Sequence, residues 1–283
     1  MLNVLKMDLY RMFKSKITWI ILAAAMLMMC ASVLMTSQDI NYYNNNPLAF
    51  ENLVNGGETS WGIYIGSVNP EWCNGNIIPL MELFAVNIKS RLLLMFLTVF
   101  IVYFAGTEGR NGFIKNIVGQ VKDRAFLVMS KFIIISIYSV LLIVATMFAT
   151  MLGSQIFFGY VSLLGMSQGL LFLLIQVLLH IGYGMFVLLL YHITRSSIAA
   201  MLAGILIAAG ILQFFDAILL AAFVKLRSVA DFSILNYTTS GNVGELPLNA
   251  VSSAYVRAGI IAICAIVLMN ILSSIIIQRR DVN

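Results

Sequence analysis

The string Gly165-Met166-Ser167-Gln168-Gly169 is the nearest this chain comes to a catalytic motif. A glycine-flanked serine at this spacing is the nucleophile elbow of serine hydrolases, and His180 and His192 follow it along the chain. The elbow works because a strand-to-helix turn lifts the serine hydroxyl above a sheet. Here the string sits in a loop between two long apolar runs, where no sheet is expected. Asp216 and His180 are two further groups in apolar surroundings, fit either to carry a proton or to serve as hydrogen-bonded packing groups. The chain has no H-E-x-x-H, no paired-cysteine zinc spacing, no EF-hand loop and no G-x-x-x-x-G-K-S/T. Without that last loop it does not cradle a nucleotide's phosphates by itself. Its three cysteines offer no disulfide framework, because Cys30 and Cys264 fall inside apolar runs.

What must position these residues is a set of membrane helices. Of 283 residues 61% are hydrophobic and 10% are charged, and the mean hydropathy is +0.96. Those values exclude an ordinary soluble domain. Crossing a bilayer takes about 20 helical residues, and spans are expected at 17–36, 84–106, 125–152, 169–193, 198–215 and 254–277. The second, apolar only from Leu92, reaches spanning length by starting nearer Pro79. That start puts Lys89 and Arg91 at the outer interface, with their charges snorkelling to water, as candidate pathway residues together with Asp216. The fold class is an all-α polytopic membrane protein, with six transmembrane helices in a domain covering 17–283.

Six spans put both termini on one side. With both termini cytoplasmic, 12 of the 17 Lys and Arg lie inside, against five outside (Lys89, Arg91, Lys225, Arg227 and Arg257). The expected location is the cell membrane, multi-pass. The net charge of +5 is then a topology signal and calls for no nucleic acid. In segment 1–16, Leu2, Leu5, Leu9, Met12 and Phe13 share one arc of a helical wheel while Asn3, Lys6, Tyr10 and Lys14 fall outside it. That pattern fits a helix lying in the inner interface, continuous with an uncleaved first span.

The outer loop 37–83 is rich in Asn, Gly and aromatic residues, and Trp61–Val68 is expected to form a small hairpin. It is too short for a separate catalytic domain. Asn236-Tyr237-Thr238 matches the N-glycosylation pattern, a three-residue signal of low specificity. Ala200, Gly204 and Ala208 recur at every fourth position, as do Ala254, Ala258 and Ala262. Such ridges let helices approach closely, either within the chain or across a dimer.

One sizeable polar, basic segment, Thr107–Lys131, lies between apolar runs. It carries Glu108, Arg110, Lys115, Lys122, Asp123, Arg124 and Lys131, and Gly112–Val118 reads as a short helix with apolar Phe113, Ile114, Ile117 and Val118. Held on the inner face, it offers a docking surface to a partner.

With this segment in place the layout resembles that of type-2 ABC exporter permeases: an N-terminal interfacial helix, a span, a long outer loop, a second span, a basic inner loop and four more spans. Glu108, Gly112, Arg124 and Lys131 stand where that family carries E…G-T/S-I/L-R/K…S/T-R…K, and Phe113-Ile114-Lys115 replaces the commoner middle. The resemblance implies a permease that pairs with a second copy or a related permease. It also implies a cytoplasmic coupling helix within 107–124 that docks a separate ATP-binding cassette subunit through Glu108, Gly112, Phe113, Ile114, Lys115, Ile117 and Arg124. This chain would hold no cofactor of its own. ATP and magnesium would be bound by the partner ATPase, and no catalytic or metal site is expected here. Small six-span members resemble exporters of antimicrobial, bacteriocin or toxin peptides, so an amphipathic peptide is the expected substrate, with membrane lipid around the permease. In that family the first and fifth spans commonly meet across the dimer, which would give the ridge Ala200, Gly204 and Ala208 a role. A stand-alone proton-coupled secondary transporter using Asp216 or His180 is the alternative reading.

Overall fold

A computed structural model describes residues 2–55, 67–73, 75–110, 124–222 and 233–279. The helices in chain order are α1 (Leu2–Lys14), α2 (Lys16–Asn45), α3 (Pro47–Asn55), α4 (Leu80–Lys89), α5 (Leu92–Arg110), α6 (Ala125–Phe157), α7 (Met166–Thr194), α8 (Ser197–Ala208), α9 (Ile211–Ala222), α10 (Thr239–Glu245) and α11 (Ser252–Gln278). Short 3₁₀ turns occupy Pro70–Trp72 and Ile234–Tyr237. Among the described residues there is no strand, and the protein is all-α. Four helices (α2, α6, α7 and α11) are long and apolar enough to cross a membrane, and the number rises to six if two bent pairs each make one span. That composition is compatible with a multi-pass membrane protein.

The two bent pairs correct the expected spans. The second was expected to run unbroken from 84 to 106, but α4 and α5 meet at an angle of 61° across Ser90 and Arg91. The fifth was expected at 198–215, but α8 and α9 are also bent by 61°, across Ala209 and Gly210. Gly210 takes the left-handed conformation (φ 93°), which glycine adopts without steric penalty. Arg91 takes it too (φ 59°), at a cost that its surroundings must offset. The first span continues well past Thr36 to Asn45, where Pro47 opens the next helix. Of the expected hairpin, residues 61–66 lie outside the described residues.

Between helices in lipid there is little hydrophobic driving force, so close packing and internal hydrogen bonds hold the bundle together. α7 is its centre, with 67% of its spanning window buried, whereas α11 is peripheral at 11%. α11 lies along α7 through small residues, with Gly259 against Ile175 and Gly182 against Ala262 and Ala265. Phe100 of α5 stacks on Tyr138 of α6. Tyr183 donates to the Gly204 carbonyl at 2.6 Å, tying α7 to α8. Ser32 of α2 bonds Asn87 of α4, and Cys30 Sγ donates to the Ala149 carbonyl at 3.3 Å.

Candidate functional site

α1 docks on the bundle at one edge of its apolar arc, where Met12 faces inward beside Asp8 and Leu9 packs partly against the core. Asp8 and Met12, one turn apart, are fully buried, while Phe13 is 49% exposed. Asp8 Oδ2 accepts from Ser130 Oγ and from Lys131 Nζ, each at 2.6 Å. Arg11 Nη2 lies 3.9 Å from Asp8 Oδ1 and donates to the Phe104 carbonyl at 3.0 Å. The Arg11 guanidinium sits 4.0 Å from the centre of the Phe104 ring, and Lys131 Nζ lies 5.1 Å from the same ring. Two cations, an anion and an aromatic face thus bind α1 to the ends of α5 and α6, the two helices that the 107–124 segment joins.

The burial is what gives this cluster weight. A surface ion pair contributes roughly 0–1 kcal/mol, whereas breaking a buried one by removing one partner costs about 3–5 kcal/mol. The ends between which the expected coupling loop hangs are therefore held at fixed separation. Of the docking residues, Glu108 falls in the last turn of α5 and Arg124 immediately precedes α6. Gly112, Phe113, Ile114, Lys115 and Ile117 lie outside the described residues. Sequence reasoning missed Asp8. The signal was available, since it is the only acidic residue among the first 38 and lies in a segment with the basic residues Lys6, Arg11, Lys14 and Lys16.

At the other end of the bundle Arg91 does not snorkel. It is 4% exposed, and its Nη2 lies 3.4 Å from Glu245 Oε1, which also accepts from Gln213 Nε2 at 3.3 Å. Two glycines make room for it. A Cβ on Gly210 would stand 3.1 Å from Arg91 Nη1, and one on Gly244 would overlap the guanidinium. Asp216 has a separate setting, accepting from Ser233 Oγ at 2.9 Å and from the Ile234 amide at 2.7 Å. With both oxygens engaged it anchors the 3₁₀ turn, which is a structural task. Lys89 is half-buried at the end of α4. Glu245 and Gly244 were not singled out by sequence, because nothing local links them to Arg91.

The remaining candidates separate. Ser167 and His180 stand 13 residues apart on the same helix, about 20 Å at 1.5 Å per residue, so they form no nucleophile and base pair. His180 is fully buried, with Nδ1 2.7 Å from the Gln176 carbonyl, the setting of a packing histidine. Among the described residues no group of three His, Cys, Asp or Glu could hold a metal ion. The ridge Ala200, Gly204 and Ala208 points inward: all three are buried, and a Cβ on Gly204 would stand 2.6 Å from Thr98 Cγ2. As a dimer face it is thus corrected, since α5 and α7 already fill it. In comparisons with known proteins, no family model matches the chain and no curated protein matches its sequence.

Proposed function

We propose that this chain is the membrane-spanning permease subunit of an ATP-driven exporter, in which each bent helix pair serves as one of six spans. The 107–124 segment docks a separate ATP-binding cassette subunit on the cytoplasmic side, and the cargo is an amphipathic peptide. The observation that supports this reading most is the buried cluster of Asp8, Arg11, Phe104 and Lys131. A loop that receives force from a partner needs rigid ends, and here both of its flanking helices are locked to each other and to the N-terminal helix. The missing nucleotide loop is consistent with an ATPase on another chain.

The test uses the segment's apolar residues. A charge placed in a desolvated interface is buried unpaired, which costs several kcal/mol, and the same charge facing water costs almost nothing. Ile114→Glu and Ile117→Glu are expected to strip ATPase activity from permease purified through a tag, while Asn111→Ala leaves it in place. A full complement of bound ATPase and undiminished transport in both glutamate variants would refute the docking role.

A further inference from the structure

At the end of the bundle away from the N-terminus, α7, the α8–α9 break and α11 enclose a groove of about 410 Å³. That volume lies within the range of small-molecule sites, roughly 300–1,000 Å³. Its walls are apolar, including Phe186, Ile207, Leu212 and Leu268, and one end carries the hydroxyl residues Thr238, Thr239 and Ser240. We propose that this groove binds an anionic phospholipid, with one acyl chain along α11 and the phosphate against Arg257.

Three observations select a lipid. First, the groove opens sideways: Cys264 and Leu268 line it and are exposed, on a helix whose neighbouring residues Ile260, Ile263 and Val267 are exposed as well. Secondly, its depth matches a single leaflet. Ile261 to Met269 is eight helical steps of α11, or about 12 Å, against half of a hydrocarbon core about 30 Å thick. Thirdly, a cation stands at the polar end. Arg257 lies one turn ahead of Ile261 on the same face of α11, is exposed, and is held in place by donating to Asn236 Oδ1 at 3.0 Å beside the hydroxyl cluster. An acyl chain moving from bilayer to groove changes one apolar surrounding for another, so the headgroup contacts must supply the selectivity. A water-soluble peptide would have no aqueous route into a wall that faces lipid.

The experiment uses the full chain in detergent micelles with phosphatidylglycerol carrying a photoreactive diazirine midway along one acyl chain. Cross-links are mapped by mass spectrometry, and the same lipid with a choline headgroup serves as the comparison. Cross-links are expected to concentrate at 261–269 and on Leu212. They should fall about fivefold with the choline lipid and in Arg257→Gln, the effect of one basic residue on an anionic headgroup. Arg257→Lys is expected to retain them, and free glycerol phosphate to leave them undiminished. Labelling spread evenly over the outward faces of α2, α6 and α11 would overturn the proposal. So would groove labelling indifferent to Arg257→Gln and to headgroup.

Discussion

Converting Asp8 to asparagine removes the carboxylate of the buried cluster while keeping its shape. In the native arrangement that carboxylate lies 2.6 Å from Lys131 Nζ and 3.9 Å from Arg11 Nη2. A unit pair at the shorter distance is worth about 6 kcal/mol at an effective dielectric of 20, and desolvation of both partners offsets much of it. The amide withdraws the attraction and leaves the desolvation. Lys131, only 6% exposed, loses that counter-ion and faces Arg11 across the site, so the cost is expected to be about 3–5 kcal/mol. Lys131→Met is expected to cost less, because Asp8 keeps Arg11, which is partly exposed and can close the gap. The double variant Asp8→Asn/Lys131→Met, with both charges gone, is expected to recover part of the loss, giving a coupling of about 2 kcal/mol. Thermal unfolding of the detergent-solubilised protein in a Cys264→Ser background, followed by a thiol-reactive fluorophore at the buried Cys73, measures the order. Trypsin cleavage at Lys14 reports release of α1. An Asp8→Asn protein as stable as the native one, or strictly additive single effects, would refute the cluster as a clamp.

Gly204→Ala is expected to destabilise the protomer by about 1–3 kcal/mol, because the new methyl meets Thr98, a stiff side chain already bonded to the Leu94 carbonyl at 2.8 Å. A change of oligomeric state without loss of protomer stability would return the ridge to the dimer interface. Burial pushes the Cys73 thiol above its usual value, so maleimide labelling of Cys73 in native protein carrying Cys264→Ser is expected to be slow at pH 7 and to rise between pH 7 and 9 as thiolate forms. Labelling as fast at pH 7 as in the unfolded chain would contradict that setting.

Hydropathy made the long helices legible, because α2, α6, α7 and α11 are each continuous apolar runs at helical length. The breaks were not legible. Neither Ser90-Arg91 nor Ala209-Gly210 contains proline, and a single glycine within a small-residue run is as compatible with a straight helix as with a bend. Arg91 was misjudged for a related reason. Snorkelling is the default for a lone arginine near an interface, and it gives way here to a partner 154 positions away, Glu245. The small-residue ridge was readable as a ridge, since its four-residue period follows from helix geometry. Which surface it meets depends on Thr98 and Tyr183, and no spacing within α8 encodes them. On α1 the fully buried residues are Asp8 and Met12, so the helix docks at one edge of its apolar arc, beside its acidic residue.

The two breaks and the buried cluster give α5 a defined mechanical position. Backbone groups freed at a break inside a membrane must find partners within the protein. At the first break Ser90 Oγ donates to the Asn87 carbonyl at 2.6 Å and accepts from the Leu92 amide at 3.3 Å. At the second the Gly210 amide reaches the Ile207 carbonyl at 3.2 Å. The Arg91 guanidinium then lies against Gly210, so each bend braces the other, and neither can straighten without displacing that side chain from its cradle. α5 starts at this junction and runs 19 residues, about 28 Å, to the 107–124 segment. Near that far end, Phe104 is gripped by Arg11 and Lys131. Under the exporter reading, a rod held this way transmits a displacement of the docking loop along its length as a rigid body. The first backbone it can move without breaking a continuous helix is the pair of bends at Arg91 and Gly210. Under that same reading the expected gate is the mouth far from the N-terminus, and no titrating residue at mid-membrane is called for.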